Sequence, residues 1–233
     1  MVARLDGRGF TRLTKEVHQF EAPFDIRFRD HMIATVEHLM NGGFRFVYGF
    51  TESDEISLLF HRNADTFDRK LRKLNSILAA EASACFSLRL GASGCFDCRI
   101  SQLPTRQLVI DYFRWRQEDA GRNALNAHCY WILRKEGKTV KEATAALVRA
   151  TTADKNELLF QRGVNFNKIP AWQKRGIGVF WQAYEKEGLN LKTGAKVKAV
   201  RQRLHVEMEL PMKQVYDAFL EARLDAAELL PTK

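Results

Sequence analysis

The stretch Phe44-Arg45-Phe46-Val47-Tyr48-Gly49-Phe50-Thr51-Glu52-Ser53-Asp54-Glu55-Ile56-Ser57-Leu58-Leu59-Phe60 holds two aromatic and aliphatic runs separated by Thr51 to Glu55. It reads as a β-hairpin with an acidic tip. Upstream, Phe28, Met32, Val36, Leu39 and Met40 recur at helical spacing over Asp25 to Asn41, and Asn41-Gly42-Gly43 supplies the stop. Ahead of that helix, Val2 to Leu5 is a short strand that ends in Asp6-Gly7-Arg8-Gly9-Phe10, a carboxylate followed by a glycine-rich turn. Downstream, Asp65 or Thr66 is positioned to cap a second helix with an apolar stripe of Leu71, Leu74, Leu78, Ala82 and Cys85; Cys95 to Ser101 then reads as a fourth strand. The order strand, helix, strand, strand, helix, strand predicts an α+β fold, the ferredoxin-like split unit also found in polymerase palms. Fold alone licenses no function.

The rest of the chain has a different texture. Val109 to Leu133 and Val140 to Ala150 read as helices, Gly176 to Trp181 and Val200 to Leu210 as extended segments, and Met212 to Leu230 as a terminal amphipathic helix. We therefore expect a palm-like core over residues 1–103, with residues 104–233 as a helical and strand portion of the same compact body.

Composition narrows the partners. The 233 residues carry a formal net charge of +9 and a pI near 9.5, which favours an anionic partner such as nucleic acid or a phosphate-rich substrate. No apolar run reaches the roughly 18 residues that cross a bilayer, and the amino terminus lacks signal-peptide grammar, so a cytoplasmic protein without a membrane partner is expected. Four scattered cysteines do not form a disulfide framework. Cys95 and Cys98 lie three apart on a predicted strand and so face opposite ways, which argues against shared metal ligation.

If the hairpin pairs beside the first strand, Asp6 and Asp54 become neighbours, with Glu55 and the Gly7 carbonyl close by. Magnesium takes one or two carboxylates together with water and substrate phosphates. Two such ions about 4 Å apart serve an in-line displacement at phosphorus. Gly7 and Gly9 would leave backbone amides free to approach a triphosphate. The bland alternative is a tight turn with solvated loop acids. Arg69, Lys70, Arg72 and Lys73 crowd the start of the second helix, where they oppose its dipole unless a phosphate partner offsets the cost. Trp172, beside Lys174 and Arg175, is a candidate base-stacking platform, and Lys196, Lys198, Arg201 and Arg203 form either an RNA track or a solvated strand edge.

Taken in order, Arg4-Leu5-Asp6-Gly7-Arg8-Gly9-Phe10, Ser53-Asp54-Glu55, Phe96-Asp97-Cys98-Arg99, Trp115-Arg116-Gln117 and Lys155-Asn156-Glu157-Leu158-Leu159-Phe160 resemble the tRNA-histidine guanylyltransferase superfamily. The resemblance implies a palm-like core that builds RNA from 3′ to 5′: ATP activates the RNA 5′ phosphate, and the 3′ hydroxyl of an incoming nucleotide then attacks it. It implies two magnesium ions held through Asp6, the Gly7 carbonyl and Asp54, with Glu55 and Lys73 joining Asp6 and Asp54 in catalysis. ATP and GTP or another nucleoside triphosphate would be substrates, contacted by Gly7, Arg8, Gly9, Phe10, Asp25 and Ser53. Contacts to tRNA would come from Arg69, Lys70, Arg116, Gln117, Asn123, Lys155, Asn156, Lys174 and Arg175, and the assembly implied is a homotetramer.

Two departures refine this expectation. Eukaryotic guanylyltransferases carry His-Ile-Asn-Asn-Leu-Tyr-Asn where this chain has Gly121-Arg122-Asn123-Ala124-Leu125-Asn126-Ala127, so that only Asn123 and Leu125 agree. This resembles instead the bacterial and archaeal-type branch that repairs truncated tRNA 5′ ends by templated Watson-Crick addition. Ala22 stands where the family commonly has lysine before the proline, which removes one phosphate-binding charge. Addition of guanine at position −1 of tRNA-histidine, a palm-domain nucleotide cyclase and a non-catalytic RNA-binding module are the alternatives.

Overall fold

The structure, a computed structural model, describes residues 1–189 and 196–228. Strands β1 (Val2–Arg8), β2 (Phe46–Glu52), β3 (Glu55–Phe60) and β4 (Cys95–Ser101), with helices α2 (Ile26–Asn41) and α3 (Leu71–Leu90), build the split unit. Between β1 and α2 lies α1 (Phe10–Arg12), which widens into a π-helical stretch over Leu13–Val17; sequence periodicity gave no sign of it. After β4 come α4 (Arg106–Lys135), α5 (Val140–Val148), α6 (Thr152–Phe160), α7 (Ala171–Arg175), β5 (Ile177–Leu189), β6 (Lys196–Glu207) and α8 (Gln214–Glu228).

The strands form one antiparallel sheet in the order β4-β1-β3-β2-β5-β6. Its first four positions are those expected of the split unit. The hairpin β5–β6, from the second half of the sequence, extends the same sheet by pairing Tyr48 with Phe180 and Thr51 with Ile177. The boundary near Leu103-Pro104 therefore separates stretches of sequence that share a single sheet.

Helices cover both faces of that sheet, which is why β2 and β3 read as continuous apolar runs without alternation. Ala3, Leu5, Ile56 and Leu58 pack against Val36, Leu39, Leu74 and Leu78 of α2 and α3. On the other face, Tyr48, Phe50 and Leu59 meet Ile110 and Phe113 of α4 and Tyr216 and Leu220 of α8. The buried hydroxyls of Tyr48 and Tyr216 satisfy each other at 3.0 Å, as burial of two polar tips requires. A third cluster joins the second half of α4 to α5 and α6 through Leu125, Leu133, Leu147 and Leu159.

Two local expectations are corrected. The second helix starts at Leu71, because Phe67, Asp68 and Arg69 have positive φ and break the chain into a short 3-10 turn after Asp65; neither Asp65 nor Thr66 caps it. The hairpin turn is tighter than the five-residue tip expected: Thr51, Glu52 and Glu55 belong to the strands, leaving Ser53 and Asp54 to turn, with Ser53 at φ 47°.

Candidate active site

Pairing of β1 with β3 sets Asp6 opposite Glu55, and the Gly7 amide donates to the Asp54 carbonyl at 3.0 Å. The end of the first strand and the hairpin turn are thus fastened together by backbone. Gly7 is needed there for space as well, since a Cβ on it would lie 2.6 Å from the Phe10 ring. Gly9, at φ 74°, supplies the left-handed residue that starts α1.

Asp6, Asp54 and Glu55 line one end of a cleft of about 1080 Å³ that runs between the palm sheet, α1 and the face of α4. Asp6, Glu52, Asp54, Glu55 and Asp119 crowd this end. Burial, with the charge of Asp6 added, pushes the Asp54 carboxyl up to about 6. Glu52 is pushed up to about 8 by burial and then by the charge of Glu55. The local backbone and the Ser53 hydroxyl hold the rise at Asp54 back in part.

Arg4 and Arg116 counter part of that negative charge. The Arg116 guanidinium, 4% exposed, donates twice to Glu55, each at 2.7 Å, and also lies 3.8 Å from Glu52 and 3.3 Å from Asp119. Arg4 bridges Glu55 and Asp6, donating to Asp6 at 2.8 Å. Arg4, Asp6 and Glu55 share the sheet face that α4 covers, because alternate strand residues point the same way. A chain of charge-assisted bonds therefore runs from the Trp115-Arg116-Gln117 motif on α4 to the first aspartate.

Among the described residues no trio of carboxylate, histidine or cysteine side chains stands ready to hold a metal. Two carboxylates suffice for magnesium, which keeps water and takes substrate phosphates as further ligands. Asp6 and Asp54 fit that donor set: both line the cleft, their charges repel, and the Gly7 backbone faces the same turn. When bound, a magnesium ion would lower the energy of charge developing on phosphate oxygens.

Several expected site residues are engaged elsewhere in the fold. Glu55 is paired with both Arg4 and Arg116. Arg116 and Gln117 are buried, the latter donating to the Pro211 carbonyl. Lys73 sits over the Phe67 ring, about 20 Å along α3 from Phe86, which touches Phe10; it is not brought to the carboxylates within this chain. Its neighbours Arg69 and Lys70 are likewise at the base of the hairpin, bonded to the Arg62 carbonyl and to Asp68.

Lys155 and Asn156 lie outside the cleft on α6, the Asn156 amide bonding back to Thr152. Lys174 donates to the carbonyls of Phe166 and Asn167, and Arg175 to that of Leu210, so both tie down loops. Asp25 lines the cleft, but its carboxylate caps α2 and binds Arg27 at 2.7 Å; the Arg27 guanidinium and local amides hold it well below the usual carboxylate range. Phe10 anchors an aromatic cluster with Phe28, Phe86 and Phe96, and Arg8 faces a separate hollow over α3. Ser53 and Asn123 do line the cleft.

Sequence reading gave no site role to Arg4, Glu52 or Asp119, and of the far end of the cleft it singled out Trp172 alone. Arg4 was detectable as the i−2 neighbour of Asp6 on a strand, and Asp119 as the i+3 neighbour of Arg116 on a helix. Nothing local marks Glu52, whose environment depends on how α4 crosses the sheet.

Comparisons with known proteins identify the family. The tRNAHis guanylyltransferase family (Thg1) matches residues 1–104, and the Thg1 C terminal domain matches residues 107–217. A probable tRNA(His) guanylyltransferase of Drosophila melanogaster is 33% identical over 76% of this chain, which spans 65% of that relative's length. The tRNA(His) guanylyltransferase of Debaryomyces hansenii is 32% identical over 90% of this chain and 84% of its own. A bacterial tRNA(His) guanylyltransferase-like protein solved in complex with ATP superposes with a TM-score of 0.74 at 26% identity, covering 96% of this chain and 89% of that one. Its complex with GTP gives 0.69 at 25% identity, covering 96% and 88%. The chain belongs to the tRNA(His) guanylyltransferase family of nucleotidyltransferases.

Proposed function

We propose that this protein adds nucleotides in the 3′-to-5′ direction to the 5′ end of a tRNA, restoring truncated ends by Watson-Crick templating. The observation that carries the chemistry is the meeting of Asp6 with the Asp54 turn at one end of a large cleft. There, Asp6 and Asp54 would hold magnesium, which would neutralise charge on nucleotide phosphates. The nucleotide complexes of the bacterial relative support ATP and GTP as ligands. Templated repair is favoured by the wall that Asn123, Ala124, Asn126 and Ala127 contribute to the cleft. Its small side chains leave room for a paired acceptor end to dictate the added base.

The relatives' names favour a second reading, addition of guanine to tRNA-histidine at position −1. The active form proposed is a magnesium-loaded homotetramer in the cytoplasm. Supplying a tRNA that lacks its first nucleotide with each nucleoside triphosphate in turn tests the reading. Addition that follows the opposing base supports repair, whereas guanine added regardless of that base supports the second reading. Asp6→Ala and Asp54→Ala should each abolish incorporation while preserving tRNA affinity. Undiminished turnover in both would remove the proposed site, and cyclic product formed without RNA would make the protein a cyclase.

A further inference from the structure

Arg4 stands against the first aspartate in a way that neutralising charge alone does not require. Its Nη2 donates to Oδ2 of Asp6 at 2.8 Å, and its Nε donates to Oε2 of Glu55 at 2.6 Å. Glu55 is a fixed anchor: its side chain is 7% exposed and accepts from Arg116 through both oxygens at 2.7 Å. Below the side chains, β1 pairs with β3 on one edge and β4 on the other, which holds the backbone of Arg4 and Asp6. Arg4 is thus secured at its backbone and at its guanidinium, and Asp6 meets a cation of fixed position.

The contact is one-sided. Among the described residues, Oδ2 of Asp6 takes the Arg4 N–H, whereas Oδ1 accepts no hydrogen bond from the protein. Asp6 lines the cleft and is partly exposed, so a hydrated ion has access to it. A carboxylate that chelates an ion through both oxygens places it midway between them. At Asp6 that position would lie beside a guanidinium already bonded to one of the two, where like charges repel across a few ångströms. Ligation through one oxygen relieves the repulsion. Magnesium suits that arrangement, because it takes a small octahedral shell and keeps several waters. Calcium takes a larger shell and often both oxygens of one carboxylate.

We infer that Arg4 is a positioning residue that confines Asp6 to one-oxygen ligation and thereby selects magnesium over calcium at the site. The inference rests on the reading of Asp6 and Asp54 as magnesium ligands, and it adds a source of discrimination outside the ligand set. Glu55 and Arg116 serve it from behind: without a buried anchor, Arg4 would swing away as a second cation approached. Partners one shell out from a metal typically change its affinity by about 10–100-fold.

The test is manganese binding to the full chain without nucleotide or RNA, followed by loss of the free ion's electron paramagnetic resonance signal, with magnesium or calcium added as competitor. The parent should bind manganese in a manner that Asp6→Ala removes, and magnesium should displace it at lower concentration than calcium. In Arg4→Met, which leaves Glu55 paired with Arg116, the ratio of the calcium to the magnesium dissociation constant should fall roughly tenfold. That fall should come from tighter calcium, with magnesium within about threefold of the parent. Arg4→Lys keeps the charge but lacks the planar fork that grips Glu55 and Asp6 together, so it should recover only part of the ratio. Nucleotide incorporation by Arg4→Met should become more sensitive to added calcium.

An Arg4→Met protein with the parental calcium-to-magnesium ratio would overturn the assignment. So would a change in both affinities by one common factor, the signature of a role in charge or folding alone. Arg4→Gln, neutral and still able to donate to Glu55, carries the same expectation if Arg4→Met does not fold. A parent chain that binds no manganese, or binding that survives Asp6→Ala, removes the metal site and the proposed function with it, whereas a bound ion with an unmoved ratio strikes at Arg4 alone.

Discussion

Replacing Arg116 with alanine separates the two roles assigned to the acidic end of the cleft. Arg116 is 4% exposed and gives two 2.7 Å bonds to Glu55. Its removal leaves Glu55 with Arg4 alone and takes away the nearest cation from Glu52. Breaking a buried ion pair from one side costs about 3–5 kcal/mol. Arg4 still reaches Glu55, and Glu52, already raised to about 8, will take up a proton more readily, so the lower end, about 3 kcal/mol, is expected. For a chain of this length that corresponds to a fall in melting temperature of roughly 6–12 °C.

Incorporation should fall as well, because Arg4 loses the fixed Glu55 that holds it against Asp6. The double variant Arg116→Met with Glu55→Leu should recover most of the stability, since an apolar pair of similar volume removes both charges together. It should not recover activity. Thermal and urea unfolding of Arg116→Met, Glu55→Leu and the double variant form a cycle with an expected coupling of about 2 kcal/mol or more. A coupling below about 0.5 kcal/mol, or an Arg116→Ala protein as stable as the parent, would refute the role given to this network.

The elevated carboxyl of Glu52 predicts a pH dependence. Its folded value of about 8 lies above the ordinary glutamate value of 4.5, so its contribution to stability is fully present below about 4.5 and is lost as pH rises through 8. In magnesium-free buffer, melting temperature should fall across that window, and Glu52→Gln should flatten the fall; an unchanged profile in the variant would exclude Glu52 as its source. Gly7→Ala should destabilise by about 1–3 kcal/mol, since its Cβ would overlap the Phe10 ring. Far-UV melts of that variant, paired with incorporation assays, should show stability and activity falling together. Tyr48→Phe strands the Tyr216 hydroxyl and should cost about 1–3 kcal/mol. The double replacement of Tyr48 and Tyr216 by Phe should cost less than the single one, which denaturant titration will resolve.

The sequence by itself determined the order of the first six elements, through hairpin patterning at Phe44 to Phe60 and helical spacing at Phe28 to Met40. The split-unit topology then follows from chain connectivity, and with it the approach of Asp6 to Asp54. Both depend on local periodicity and short-range pairing, which a single sequence carries. Tertiary structure alone decided which charges are free. Arg116 and Glu55 look like any exposed polar residues along the chain, but α4 crosses the sheet face from which Glu55 projects, and burial obliges the two to pair. Lys73 reads as a phosphate ligand from its motif, yet the length of α3 carries it away from the cleft. Lys15 and Arg134 carry no sequence signature at all; both reach the cleft because the π-helical stretch and the far half of α4 wall it. Burial and long-range apposition set the electrostatics of an ionisable group, and neither is encoded in its immediate neighbours.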